Sequence, residues 1–423
     1  MKHFFKKLAK NKTWIVFLLL ALVFFPKAFY REAESDTRAI ITAVGIDKKD
    51  DEYEISSLMV VPSNTSDPSS NLYLVSTKGK TVGEAFNQMS HNIGKSIGLA
   101  HCDFIVVNDE VLEDDITKTI DYFVRQYNIT KRAYIVNCAG GAKKMLETAL
   151  NTKSLSTVLL TNLVQKDNKS TMGAGSNIDT IYRMYFGKSG ITYLNVYDIE
   201  KPEDDKSQGG GQESSGESGN SSEQSGQSGG SDSGGGSENE ETEKIKGTEK
   251  LLFLKKGKRV CEIDKEETLF YEIYNKSLRS TFMLLENISD SDKSNANVGL
   301  DIIQIINKNS FYFDDGKPTI KCEMTLIVAL YEICDTKTSV EQMDNAKTHI
   351  GENIKDAIKE KIKKGADGVM EKSRQNNIDI MEFVDVFSKR KTKQWEKYMS
   401  THSEEDYLQD CQIVLDIKIK DKF

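Results

Sequence analysis

What this chain lacks narrows its chemistry first. Its six cysteines run from Cys102 to Cys411 with no C-x-x-C pair, so the usual zinc spacings are absent and no disulfide framework is legible. Its five histidines include no H-E-x-x-H, the metalloprotease signature. Three triplets look like phosphate loops: Gly79-Lys80-Thr81, Gly94-Lys95-Ser96 and Gly187-Lys188-Ser189. A phosphate loop needs a glycine five residues before its Gly-Lys pair, and those positions hold Leu74, Met89 and Tyr182. No paired carboxylates or nucleophile motif marks a reaction centre, so no catalytic residue, cofactor-binding residue or metal ligand is assigned.

A cationic body is missing too. The chain carries 57 Lys+Arg against 65 Asp+Glu, and beyond residue 30 the net charge is −14. Such a body is a poor partner for nucleic acid. The longest apolar run, Trp14–Phe25, has only twelve residues, where a membrane span needs about 17–25. Five lysines in residues 1–12 precede it. Extending the run to Tyr30, with Lys27 snorkelling to the interface, gives a marginal span whose lysines stay cytoplasmic. No A-x-A-like cleavage site follows. Residues 1–30 are therefore expected to be a retained membrane anchor rather than a cleaved signal.

What is present is a series of short periodic segments. Arg38–Val61 holds two β-branched runs around the acidic turn Asp47–Glu52, the pattern of a β-hairpin. A strand at Tyr73–Thr77 follows. Thr81 and Glu84 then form a capping box, ahead of Val82, Ala85, Phe86, Met89, Ile93 and Ile97 at helical spacing. Phe104–Val107 reads as a strand; Ile116, Ile120, Phe123 and Val124 as a helix; Tyr134–Cys138 as a strand. Gly140-Gly141 turns the chain into a helix over Ala142–Leu150. Its exposed amides resemble an anion site, but such a pair more simply permits a tight turn. Residues 151–206 read as helix, loop, helix and a strand, Ile191–Tyr197.

Ser207–Glu240 contains 11 Gly and 11 Ser in 34 residues, with no apolar or basic side chain. It cannot bury enough surface to offset its ordering entropy and is expected to be disordered. The sequence leaves open whether it links two domains or is inserted in one surface loop. Further on, Cys322–Cys334 is a regular strand. Val340, Met343, Ala346, Ile350, Ile354, Ala357, Ile358 and Ile362 mark one face of a long helix. Another helix is predicted between Phe383 and Met399, with Trp395 packed on the sheet rather than on a membrane through Lys389–Lys393. The chain closes with an amphipathic strand: Cys411, Ile413, Leu415, Ile417 and Ile419 on one face, Gln412, Asp416, Lys418 and Lys420 on the other.

Hairpins mixed with helices predict an α+β fold. The expected units are the anchor 1–30, an N-terminal α+β domain 36–150, a middle domain 151–250 containing the Gly/Ser segment, and a C-terminal α+β domain 251–423. All six cysteines fall in strand-like runs and are read as core thiols. His101 and Cys102 would point to opposite faces of a strand and so form no dyad. Asp290, Asp292, Ser294 and Asp301 have calcium-loop spacing, but Asn295 replaces the glycine and no glutamate closes the loop. That stretch reads as a solvated hairpin loop.

The order of these signals resembles the C subunit of bacterial spore germinant receptors, the Ger(x)C family. The matching fragments are A-I-I-T-A-V-G-I-D-K at Ala39–Lys48, Gly79-K-Thr81-V-G-Glu84-Ala85, and Gly98-L-A-His101-C-D-F-Ile105-V-Val107. Tyr122-F-V-Arg125, Ala139–Lys143, Leu251–Val260 and N-I-D-I-M-E-F-V-D-V-F with Trp395 complete the series. The resemblance implies a three-domain, non-enzymatic α+β ectodomain on the outer face of the spore inner membrane. It would act with a polytopic subunit and a second membrane subunit to sense germinants, without cofactor or metal. Members are usually lipoproteins, and this chain has no cysteine before Cys102 to acylate; the apolar segment stands in its place. The competing classes are a stand-alone extracytoplasmic small-molecule-binding protein and a cell-wall enzyme.

Overall fold

Alternation of apolar residues in Ala39–Met59 is satisfied on both sides of a sheet. In the computed structural model, the described residues are 38–60, 72–126, 128–151, 160, 175–200, 243–290, 293–334 and 350–422. The proposed anchor and the Gly/Ser segment lie outside them, as do Asp292, Val340, Met343 and Ala346. The hairpin forms as expected: β1 (Arg38–Lys49) and β2 (Glu52–Val60) are antiparallel, with Lys49 opposite Glu52. β3 (Leu72–Gly79) adds to β2.

The helix after β3, α1 (Val82–Ile93), stops earlier than its periodicity suggests. Gly94 takes a left-handed conformation as C-cap, and Ile97 belongs instead to a short strand, β4 (Ser96–Gly98). The cap differs from a reciprocal box as well. Thr81 accepts the Glu84 amide, but the Glu84 carboxylate accepts the Lys80 amide rather than that of Thr81. Strand β5 (Phe104–Val107) and strand β6 (Tyr134–Cys138) match their predicted bounds. Between them lie α2 (Asp109–Glu113), which the sequence did not announce, and α3 (Ile116–Arg125). Then come α4 (Ala142–Asn151), α5 (Ile178–Tyr185) and β7 (Ile191–Glu200).

After the Gly/Ser segment the chain continues into the same sheet. β8 (Lys244–Lys255) pairs antiparallel with β7, with Glu200 opposite Lys244, and β9 (Lys258–Ile263) completes the nine-stranded sheet. The strand order is β3-β2-β1-β5-β6-β7-β8-β9, with β4 also on β1. The four strands β1, β5, β6 and β7 run parallel, and antiparallel hairpins flank them. The boundary expected at 250/251 falls inside β8, and the one at 150/151 falls inside α4, between two strands of the same sheet. The Gly/Ser segment connects neighbouring strands of it.

A second sheet has the order β10-β11-β12-β13, built from β10 (Thr281–Asp290), β11 (Lys293–Asp314), β12 (Lys317–Cys334) and β13 (Gln412–Asp421). Its last pair, β12 with β13, is parallel. Asp290 pairs with Lys293 at the tip of the β10–β11 hairpin. The helices beside this sheet are α6 (Lys265–Asn275), α7 (Glu352–Gln375), α8 (Phe383–Arg390), α9 (Thr392–Met399) and α10 (Glu404–Asp410). The single helix predicted over Phe383–Met399 is therefore two, broken at Lys391. The bend lets Trp395 pack against Phe387, Tyr398 and Tyr407 in the core.

The molecule is a mixed α+β fold with three apolar cores among the described residues. One lies between the first sheet and α1, α3 and α5; one between that sheet's other face and α4; the largest between α6, α7 and the second sheet. Strand β8 feeds two of them. Leu252 and Leu254 enter the first core, while Leu251 and Phe253 enter the largest. Each such side chain contributes about 1.5–3 kcal/mol on burial. One strand therefore couples the two halves, because neither core is complete without it.

Candidate functional site

Two of the glycine-containing loops that resembled anion sites, Gly140-Gly141 and Gly187-Lys188-Ser189, are filled by the protein's own carboxylates. At the start of α4, Ala142 and Lys143 donate their amides to the two oxygens of Asp47, each at 2.8 Å. Lys143 also reaches Glu54 at 2.9 Å. The helix terminus, with its unpaired N–H groups and positive dipole end, is satisfied by β1 itself. Burial pushes the Asp47 carboxyl up, and the two amides only partly offset it. The turn reading of Gly140-Gly141 holds, with Gly141 at φ +104°.

The Gly187-Lys188-Ser189 loop does the same thing across the molecule. Lys188 and Ser189 donate their amides to Asp385, at 3.3 and 3.0 Å. Asp385 lies on α8, about two hundred residues further along the chain. Burial pushes its carboxyl up, but hydrogen bonds from Ser189 and Lys188 and the nearby Lys389 outweigh burial and hold it below the usual range. A second clasp lies at the β8–β9 turn. Gly257 accepts the Ile116 amide at 3.0 Å, and Arg259 pairs with Asp109 of α2 at 2.6 Å.

The buried thiols are poorly reactive. All six cysteines are free. Cys102 and Cys411 sit just before strands rather than in them, and Cys334 is exposed rather than in the core. Burial pushes the Cys102 thiol up to about 12, Cys322 to about 12 and Cys138 to about 11. Such thiols stay protonated and are poor nucleophiles. Cys102 donates to the Phe104 carbonyl, and no histidine partners it. Among the described residues no group of three or more His, Cys, Asp or Glu could hold a metal ion.

What the surface offers is an apolar face. Of nine large apolar side chains exposed among the described residues, six lie on the second sheet: Phe282, Leu284, Ile303, Ile306, Tyr331 and Val414. They stand on the side opposite α6 and α7. Their strand neighbours Met283, Leu285, Ile302 and Leu300 point inward and are buried. Tyr331 is 69% exposed and meets Phe282 edge-on, with ring centroids 6.0 Å apart. The Phe282 ring lies over Gly299, where an added Cβ would come within 3.2 Å of it. Further along the same face, Lys308, Lys321, Glu323 and Asp416 form an ion-pair chain. Grouped exposed apolar side chains with a charged border are typical of an interaction surface. The open edge of β10 is a poorer candidate. It is bulged near Ile288, and Lys361 donates to its Leu284 carbonyl; both features protect an edge against strand addition.

Comparison with known proteins places these halves. The family described as "Spore germination protein N-terminal domain" matches residues 31–199, and "Spore germination B3/ GerAC like, C-terminal" matches residues 249–420. A solved structure, the crystal structure of the GerBC protein, aligns at 13% identity with a TM-score of 0.49, over 90% of this chain and 97% of that chain. No curated protein matches the sequence. Among the described residues no helix is long and apolar enough to cross a membrane. Matched in both its halves, the chain belongs to the GerAC-like family of spore germination proteins, the Ger(x)C family.

Proposed function

We propose that this chain is the C subunit of a spore germinant receptor, held on the outer face of the spore inner membrane. Residues 1–30 are its retained anchor. It assembles there with a polytopic subunit and a second membrane subunit and supports the response to nutrient germinants without catalysing a reaction. The observation that carries this reading is the family match over both halves of the chain, 31–199 and 249–420. The apolar outer face of the second sheet supports it, because folding does not require Phe282, Ile306 or Tyr331 to be apolar where they stand.

The test is assembly. Phe282→Asp together with Tyr331→Asp in the full-length chain should lower its co-purification with the polytopic subunit at least tenfold. Its unfolding free energy should fall by no more than about 2 kcal/mol, because aspartate at 282 faces Asp301 across the strands but replaces an exposed side chain. Spores carrying the double variant should lose the response to one germinant class. Unchanged co-purification and response would place assembly elsewhere. Cortex hydrolysis by the purified protein, abolished by one point substitution, would overturn the receptor reading.

A further inference from the structure

The second sheet ends in two open edges, and they differ. The β10 edge is bulged near Ile288, and Lys361 occupies its Leu284 carbonyl. The β13 edge has neither protection. Every residue of β13 pairs with β12 in one unbroken parallel register, from Gln412 opposite Thr319 to Asp421 opposite Val328. Among the described residues no strand lies on its other side. A long, regular edge strand offers its outer row of N–H and C=O groups to another chain.

The apolar row along this edge is unfinished. On β12, Ile320, Cys322, Met324 and Leu326 are buried. Their neighbours on β13, Ile413, Leu415, Ile417 and Ile419, pack against the same core but are only half-buried. Between β13 and α7 runs a groove of about 710 Å³, lined among others by Ala366 and Met370 of α7 and by Ile413 and Leu415. A further strand with apolar residues at every second position would cover this row and enter the groove. The opposite pleat of β13 carries charge, at Asp416, Lys418 and Lys420.

We infer that the strand which fits is β13 of a second copy of this chain, antiparallel and centred on Ile417. Residues opposed across two antiparallel strands share a face, so a two-fold pairing of identical strands centres on a residue. Centred on Asp416, it sets two aspartates against each other; centred on Lys418, two lysines. Centred on Ile417, each copy's Asp416 faces the other's Lys418, and each Leu415 faces the other's Ile419 beside the groove. Opposite charges directly across a strand pair attract and like charges repel. The order of charges on β13 therefore selects one register. Lysines on an edge usually repel a neighbouring strand; Asp416, two residues before Lys418, makes this edge complementary to itself. The result is a closed two-fold dimer that joins two four-stranded sheets edge to edge, with both α7 helices on one face. Nothing in this pairing depends on which other subunits the chain binds.

Light scattering on the full-length chain in detergent, across a dilution series, tests the pairing. The wild type should be dimeric. Lys418→Asp places a carboxylate opposite the other copy's Asp416 and should weaken dimerisation roughly tenfold or more. Asp416→Lys should do the same, but Asp416 also lies 3.9 Å from Lys321 of its own copy, so that variant disturbs two contacts. The variant carrying both reversals keeps opposite charges across the two strands and should dimerise within roughly threefold of wild type. Recovery in the double variant also shows that the single variants fold. A monomeric wild type, single variants that associate as tightly as wild type, or a double variant no tighter than the singles would overturn the pairing.

Discussion

The two sheets of this molecule bury their apolar residues to different extents. The first has helices on both faces, α1, α3 and α5 on one and α4 on the other. The second is covered on one face by α6 and α7, and its other face shows Phe282, Ile306 and Tyr331 to solvent. Burial explains every large apolar side chain of the first sheet's centre, such as Ile41, Phe104 and Val136. It does not explain those on the second sheet's outer face. Apolar residues in the first sheet therefore report on folding. Those on the outer face of the second are left exposed by the fold, and the proposed assembly with other subunits uses them.

The comparison can be broken most severely at the covered side of the second sheet. A Cβ at Gly365 on α7 would stand 2.3 Å from the Glu266 carbonyl oxygen of α6. The obstacle is backbone, so the helices must separate. Gly365→Ala should destabilise the protein by about 3 kcal/mol, read as a lower denaturation midpoint at unchanged slope. A loss under about 1 kcal/mol would mean that the α6–α7 cover is not close-packed.

A smaller effect is expected where the halves interlock. Gly257 has φ +77°, and an added Cβ would lie 2.0 Å from Asp115 Oδ1. Asp115 also caps α3. Gly257→Ala should cost about 2 kcal/mol, from left-handed strain and a displaced cap. Both halves should still unfold in one transition, because β8 belongs to both cores. Two separate transitions, followed by probes in each half, would show that the sheets are independent units.

The smallest effect belongs to the Gly/Ser segment. Deleting Ser207–Glu240 shortens the connection between paired strands β7 and β8, and loop closure grows only as (3/2)RT ln n. The unfolding free energy should rise by only about 1.4 kcal/mol as the connection shrinks from residues 201–243 to nine residues. An insoluble deletion variant would give the segment a structural role.

Much of the first sheet was legible in the sequence because its strands are short, apolar and bounded by turns. Phe104–Val107 and Tyr134–Cys138 fall where periodicity put them. Errors came where a local conformation overrode a pattern. Gly94 ended α1 before Ile97, and Lys391 split the helix carrying Trp395. Asp385 gave no signal, because the Lys188 and Ser189 amides it holds lie about two hundred residues away in sequence.

The sequence by itself determined the acidic body, the alternation of strands and helices, the absence of a phosphate-loop glycine spacing, and the resemblance to spore germination proteins. Each depends on composition or on residues near one another in the chain. Only the tertiary structure decided that strands on either side of the Gly/Ser segment are neighbours in one sheet. It also decided that Asp47 and Asp385 fill two of the anion-like loops, and that the second sheet leaves an apolar face uncovered. Those facts depend on pairings between distant residues, and a hydrophobic pattern states that a face is apolar without stating what covers it.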